Sequence, residues 1–177
     1  MPAWLPAALL SVWLLALCVG DVRWRRLPNA LTLGGALVAL AARAGAGGWP
    51  AFLGGLEGGA LCALLLLFPF FLHAAGAGDV KMLFAVGAAL GRGRVVGLLF
   101  YVSVAGLALA FLFLLFGRAD RSRLVHWLRC VFDWRYDRKS GRAALPPKSS
   151  EKCRVPFGLA IAAGTWLELL FPLEGFA

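Results

Sequence analysis

The sequence predicts an all-α polytopic membrane protein of about six transmembrane helices, organised as one membrane-embedded domain over residues 1–177. Three observations carry that expectation: the composition, a succession of long uncharged runs, and the placement of the cations. Of the 177 residues 61% are hydrophobic and 15% are charged, with a mean hydropathy of +0.80. A soluble domain has about 45–50% apolar and about 25% charged residues. A soluble fold of this size leaves roughly 30% of its unfolded surface in water, too much for so apolar a chain to hide. The same figures exclude disorder, and four cysteines without framework spacing exclude a disulfide-stapled secreted domain.

Taken in order, residues 1–20 carry no charge, and Asp21, Arg23, Arg25 and Arg26 follow within six positions. The second run, 27–42, is uncharged and ends at Arg43, with Gly-Gly-Trp-Pro at 47–50 marking a turn. The third covers about 51–73 and is interrupted by Glu57, while His73 is the only titratable group between Gly58 and Gly78. Met82–Gly91 is apolar but short, Val95–Gly117 is a 23-residue uncharged run, and Val155 to Phe171 is the sixth run. A helix needs about 20 residues to cross a core about 30 Å thick. The fourth run must therefore recruit Gly76–Asp79 below the membrane surface if it is to cross.

With six crossings, the connections at 21–26, 74–81 and 117–154 share one side and hold 15 of the 18 Lys and Arg, leaving Arg43, Arg92 and Arg94 opposite. The positive-inside rule then places these connections in the cytoplasm and both termini outside. The net charge of +9 thus faces anionic lipid headgroups rather than nucleic acid. Basic residues follow the first run instead of preceding it, so that run reads as a retained helix and not a cleaved signal. Cys18 and Cys62 read as small core residues. His126, Cys130 and Cys153 lack the paired spacing of a zinc site, and no metal is expected.

Asp21 and Asp79 are separated by an even number of crossings, so both belong at the cytoplasmic face. Ionisable groups at that depth are expensive and point to function. Gly76-Ala77-Gly78 before Asp79 allows close backbone approach, and Pro28-Asn29 fixes a bend after Asp21. The bland alternative makes Asp21 a helix-end carboxylate paired with a nearby Arg, and Asp79 a helix cap beside Lys81. Two adjacent carboxylates in a partly desolvated site share a proton, so that one activates water while the other polarises a carbonyl. That is aspartic-protease chemistry, which requires no cofactor.

These residues resemble the prepilin leader peptidases, bacterial GxGD-type membrane aspartic endopeptidases. Asp21-Val22-Arg23-Trp24-Arg25-Arg26-Leu27-Pro28-Asn29 is similar to the first family signature, and Gly76-Ala77-Gly78-Asp79-Val80-Lys81 to the second. Val155-Pro156-Phe157-Gly158 is a third, weaker match. The resemblance implies Asp21 and Asp79 as the catalytic pair, with Gly76, Gly78, Lys81, Pro28 and Asn29 shaping the site. It also implies pilin-like precursors as substrates, cut at the cytoplasmic face of the bacterial inner membrane. The connection of about ten residues after the first helix holds no cysteine. It resembles short peptidase-only members of tight-adherence or Flp pilus systems, which argues against N-methyltransferase activity. Arg23, Arg25 and Arg26 would repel a basic leader and are assigned to topology and lipid. Glu57 and Glu168 are expected in the outer halves of their helices, in structural roles.

Within 118–154, Leu124, Leu128, Val131 and Phe132 recur at helical spacing among Trp127, Trp134 and several Arg. The pattern predicts a basic amphipathic segment on the inner leaflet between the fifth and sixth helices. Two other functions compete for the paired acids: an ion- or proton-coupled transporter, and a non-enzymatic assembly subunit in which the acids only join helices. The oligomeric state is left open.

Overall fold

A computed structural model describes residues 4–24, 28–71, 76–116 and 157–173, which contain helices and connecting turns and no strand. The elements are α1 (Trp4–Trp24), α2 (Asn29–Phe71), α3 (Ala77–Leu90), a single 3-10 turn (Arg92–Arg94), α4 (Val95–Leu115) and α5 (Phe157–Leu170). The chain divides into two compact units, Met1–Gly106 with Pro156–Ala177, and Leu107–Val155. The first unit holds the core cluster and the candidate site described below. Of the second, only the end of α4 and Phe116 are described. The expected amphipathic segment at 118–154, the Arg25–Arg26 pair and His73 lie outside the described residues.

Helix α2 starts where Pro28 cannot continue a preceding helix. The Pro28 carbonyl accepts the N–H groups of Leu31 and Thr32, both at 3.1 Å, and the Thr32 hydroxyl turns back on the Pro28 and Asn29 carbonyls. The helix breaks at Gly47 (φ −138°, ψ 17°) and Gly48 (φ 64°, ψ −155°). The positive φ at Gly48 is one that a side chain with a Cβ rarely adopts. Arg43 shows that the chain reverses there. In an unbroken helix it would stand about 18 Å along the axis from Gly55, yet a Cβ at Gly55 would lie 2.8 Å from Arg43 Cδ, and Arg43 Nε donates to the Ala51 carbonyl at 3.0 Å. The expected second and third runs are therefore the two limbs of a hairpin, 29–46 and 49–71, turning at the Gly-Gly pair as the sequence signals.

Two helical segments are long and apolar enough to cross a bilayer: Asn29–Leu67, which contains this break, and Arg92–Phe113. Leu5–Asp21 and Phe157–Leu170 are apolar but shorter. The short fourth run is lengthened at its start as anticipated. Helix α3 begins at Ala77 and draws Gly78 and Asp79 into its first turn, reaching 14 residues, or about 21 Å.

Helix α3 is also the central element. Its Met82, Leu83 and Val86 are fully buried and pack in one cluster with Leu14, Leu17 and Cys18 of α1, Cys62 and Leu66 of α2, Leu98 and Val102 of α4, and Ile161 and Ala162 of α5. Cys18 and Cys62 are thus buried core residues, as read from the sequence. Outward faces keep large apolar side chains exposed, among them Leu37, Val38, Leu64, Leu107 and Phe111. In lipid such faces need no cover, and helix association depends on close packing of small residues. The second limb of α2 meets α3 in that way: a Cβ on Gly87 would lie 2.6 Å from the Gly58 carbonyl oxygen, and one on Gly58 2.7 Å from that of Gly87. At the far end of α3, Arg43 Nη1 donates to the Ala89 carbonyl at 3.2 Å, placing positive charge where the helix dipole is negative. Trp13 of α1 lies over Gly35 of α2, and its indole N–H donates to the Leu31 carbonyl at 3.0 Å.

Because backbone blocks the added methyl at Gly87, Gly87→Ala is expected to destabilise the protein by about 1–3 kcal/mol and to lower its membrane level. Gly34→Ala, where a Cβ meets open space, should leave both unchanged. Thermal unfolding in detergent and immunoblots of membranes compare the two.

Candidate functional site

Both aspartates stand one helical turn beyond the shared core cluster. Asp21 follows Leu17 and Cys18 by four and three positions, and Asp79 precedes Met82 and Leu83 by three and four. Those four residues belong to one packed cluster, so each acid lies within about one helical turn of it. Lys81 Nζ donates to Asn29 Oδ1 at 2.8 Å, tying the start of α2 to the N-terminal part of α3. The segment carrying Asp21 and Pro28-Asn29 and the Gly-x-Gly-Asp-Val-Lys segment are therefore joined in space as well as in the sequence pattern.

Each acid is held by a backbone N–H at a helix N-terminus. Asp21 is only 8% exposed, and its Oδ2 accepts the N–H of Gly158, the second residue of α5, at 3.1 Å. The Gly158 carbonyl in turn receives the Cys18 thiol, with sulfur and oxygen 3.9 Å apart. Asp79 sits at the third position of α3. Its Oδ2 accepts the Gly76 N–H at 3.0 Å, while its own N–H donates to the Gly76 carbonyl at 3.1 Å, a reciprocal cap closed by a glycine in extended conformation (φ −86°, ψ 149°). Helix N-termini carry partial positive charge worth about 0.3–1 kcal/mol to a nearby anion, so α3 and α5 each stabilise negative charge on one of the two carboxylates. A carboxylate offers about four acceptor directions, so an orienting N–H and a water are compatible on one group.

The other residues singled out from the sequence are placed as follows. Gly76 caps α3, Gly78 lies half-buried in its first turn, and Pro28 starts α2. The cap expected of Asp79 in the bland alternative is present. Lys81 reaches Asn29 of α2. Glu57 forms an exposed ion pair with Arg92 at 3.3 Å, worth little in water. Glu168 is 1% exposed and packs against Gly97 of α4 towards the C-terminal end of α5, and its Oε2 has no hydrogen-bond partner. Among the described residues, no three His, Cys, Asp or Glu side chains converge as a metal would require. Gly158 and Cys18 were not singled out as site residues. For Gly158 the signal was present in the weak Val-Pro-Phe-Gly match.

An all-helical membrane protein with two acids held by helix N-termini beside a common core is the class these features define. The chain belongs to the type IV leader peptidase family, whose sequence profile matches residues 8–111. The matched stretch includes Asp21, Pro28, Asn29, Gly76, Gly78, Asp79 and Lys81 and ends before Gly158. Comparison with curated proteins and with solved structures gave no match.

Asparagine at 79 keeps an acceptor for the Gly76 N–H, whereas alanine removes it. Asp79→Asn is therefore expected to retain wild-type thermal stability, and Asp79→Ala to lose about 0.5–2 kcal/mol, as measured by unfolding of the purified protein.

Proposed function

We propose that this protein is a prepilin-type leader peptidase, an aspartic endopeptidase that removes the leader of type IV pilin-like precursors at the cytoplasmic face of the bacterial inner membrane. Family membership and the placement of Asp21 and Asp79 beyond one core cluster support this reading, and the second is the observation that carries the assignment of the dyad. In the proposed reaction one aspartate, ionised, takes a proton from water as the hydroxide adds to the scissile carbonyl carbon. The other, protonated, donates to the carbonyl oxygen. Collapse of the tetrahedral adduct breaks the carbon–nitrogen bond, the proton gained by the base passes to the departing amine, and the proton on the former carbonyl oxygen returns to the other aspartate. The backbone donors at Gly158 and Gly76 orient the two groups.

Gly76, Gly78, Pro28 and Asn29 shape the mouth of the site, and the Lys81–Asn29 bond holds the first turns of α2 and α3 together. The precursor enters with its apolar helix in the bilayer and its basic leader at the membrane surface. Six crossings with both termini outside is the topology proposed, with the 118–154 segment on the anionic inner leaflet. Hydrolysis without N-methylation is proposed, since the connection after α1 is short and carries no cysteine. Family membership favours the peptidase over the transporter and the assembly subunit.

The test is co-expression of wild type, Asp21→Asn and Asp79→Asn with a tagged pilin-like precursor, following precursor length and the membrane level of each variant. Both variants are expected to lose cleavage, by at least about a thousandfold, at normal protein level. Cleavage that persists in either one sinks the dyad. Loss of the protein itself in both returns the acids to a structural role.

A further inference from the structure

We infer that Gly158 is a positioning residue for Asp21, and that glycine is required there to keep the Asp21 carboxylate in its working orientation. This rests on the peptidase reading and extends it to a residue 137 positions away in sequence, outside the stretch matched by the family profile. Three observations carry the inference. The Gly158 N–H donates to Asp21 Oδ2 at 3.1 Å. The Gly158 carbonyl receives the Cys18 thiol, so one peptide unit on each side of Gly158 is engaged by α1, at positions one turn apart. A Cβ at 158 would lie 2.7 Å from Asp21 Oδ2, 3.3 Å from its Cγ and 3.5 Å from its Cβ.

The kind of atom that is crowded decides what a substitution does. At Gly87 an added methyl meets backbone, which cannot yield without moving a helix. At Gly158 the three nearest atoms all belong to the Asp21 side chain, and its flexible end yields by rotating the carboxylate. The backbone at 158 lies outside the positive-φ region, and alanine is a better helix former than glycine, so α5 itself loses nothing. A methyl at 158 therefore leaves the fold in place and turns away the group that has to face water and the scissile carbonyl.

The experiment compares full-length wild type, Gly158→Ala and Gly34→Ala in detergent-solubilised membranes, with a tagged pilin-like precursor as substrate. For Gly158→Ala kcat is expected to fall at least about tenfold while KM stays within about twofold, as for a displaced reacting group, with melting temperature and membrane level at wild-type values. Gly34→Ala should match wild type throughout. A parallel set with Cys62, Cys130 and Cys153 replaced by alanine reports on the helix contact, since Cys18 should react with N-ethylmaleimide equally slowly whether residue 158 is Gly or Ala. Unchanged kcat in Gly158→Ala overturns the inference while leaving the peptidase reading intact. Lost cleavage accompanied by rapid Cys18 alkylation or a lowered melting temperature also overturns it, because α5 has then moved as a whole. A wild type that cleaves no precursor overturns the peptidase reading and this inference with it, and is told apart by the wild-type lane alone.

Discussion

The close backbone approach between the second limb of α2 and α3 is the constraint on which the rest of the structure depends. In water a helix as short as α3 could be held by burying its apolar face, but lipid is as apolar as leucine and offers no such gain. What remains is dispersion at short range, which falls away over a fraction of an ångström. Gly58 and Gly87 let two backbones come within reach of each other's carbonyl oxygens. With α3 fixed in this way, its buried Met82, Leu83 and Val86 become the surface against which α1, α4 and α5 assemble.

Each end of α3 then carries polar groups that are satisfied differently. At the N-terminal end Asp79 accepts the backbone N–H of Gly76, as Asp21 of α1 accepts that of Gly158 at the start of α5. At the C-terminal end, the guanidinium of Arg43 donates to a backbone carbonyl. Both arrangements follow the helix dipole, with anions at N-termini and a cation at a C-terminus. The same dipoles that stabilise the two carboxylates also orient them, so at Asp21 and Asp79 the structural demand coincides with the chemistry proposed for them. Asp79 illustrates this well: its capping bond, which a purely structural role would explain, is also what fixes the direction of its carboxylate.

Much of this was legible in the sequence because it depends on local patterns. Uncharged runs set the helices, Gly47-Gly48 set the hairpin turn, and the need to lengthen the fourth run correctly drew Gly78 and Asp79 into α3. Asp21 and Asp79 stood out because charge is conspicuous in so apolar a chain. The remainder depends on contacts distant in sequence, where periodicity carries no information. Gly58 and Gly87 look like any other small residues in a glycine-rich chain, and only their facing each other gives them a role. Arg43 was read as a cation marking a turn, whereas its partners are carbonyls on either side of that turn, at Ala51 and Ala89. The partnership of Gly158 with Asp21 joins the last helix to the first, a pairing that no spacing rule predicts. Glu168, expected in the outer half of its helix in a structural role, lies towards the C-terminal end of α5 and is deeply buried against Gly97 of α4, a partner that no spacing names.

The two partners of Arg43 also bear on how the chain is made. Ala51 lies eight residues beyond Arg43 and Ala89 forty-six, so during synthesis the first carbonyl emerges long before the second. A hairpin that turns at Gly48 brings Ala51 to the guanidinium as soon as both limbs of α2 exist, so their cation is hydrogen-bonded within the hairpin itself. The later arrival of α3 completes the pair and locks the hairpin to it. One side chain thus joins a contact close in sequence to one far away, and ties the hairpin to the helix that carries Asp79.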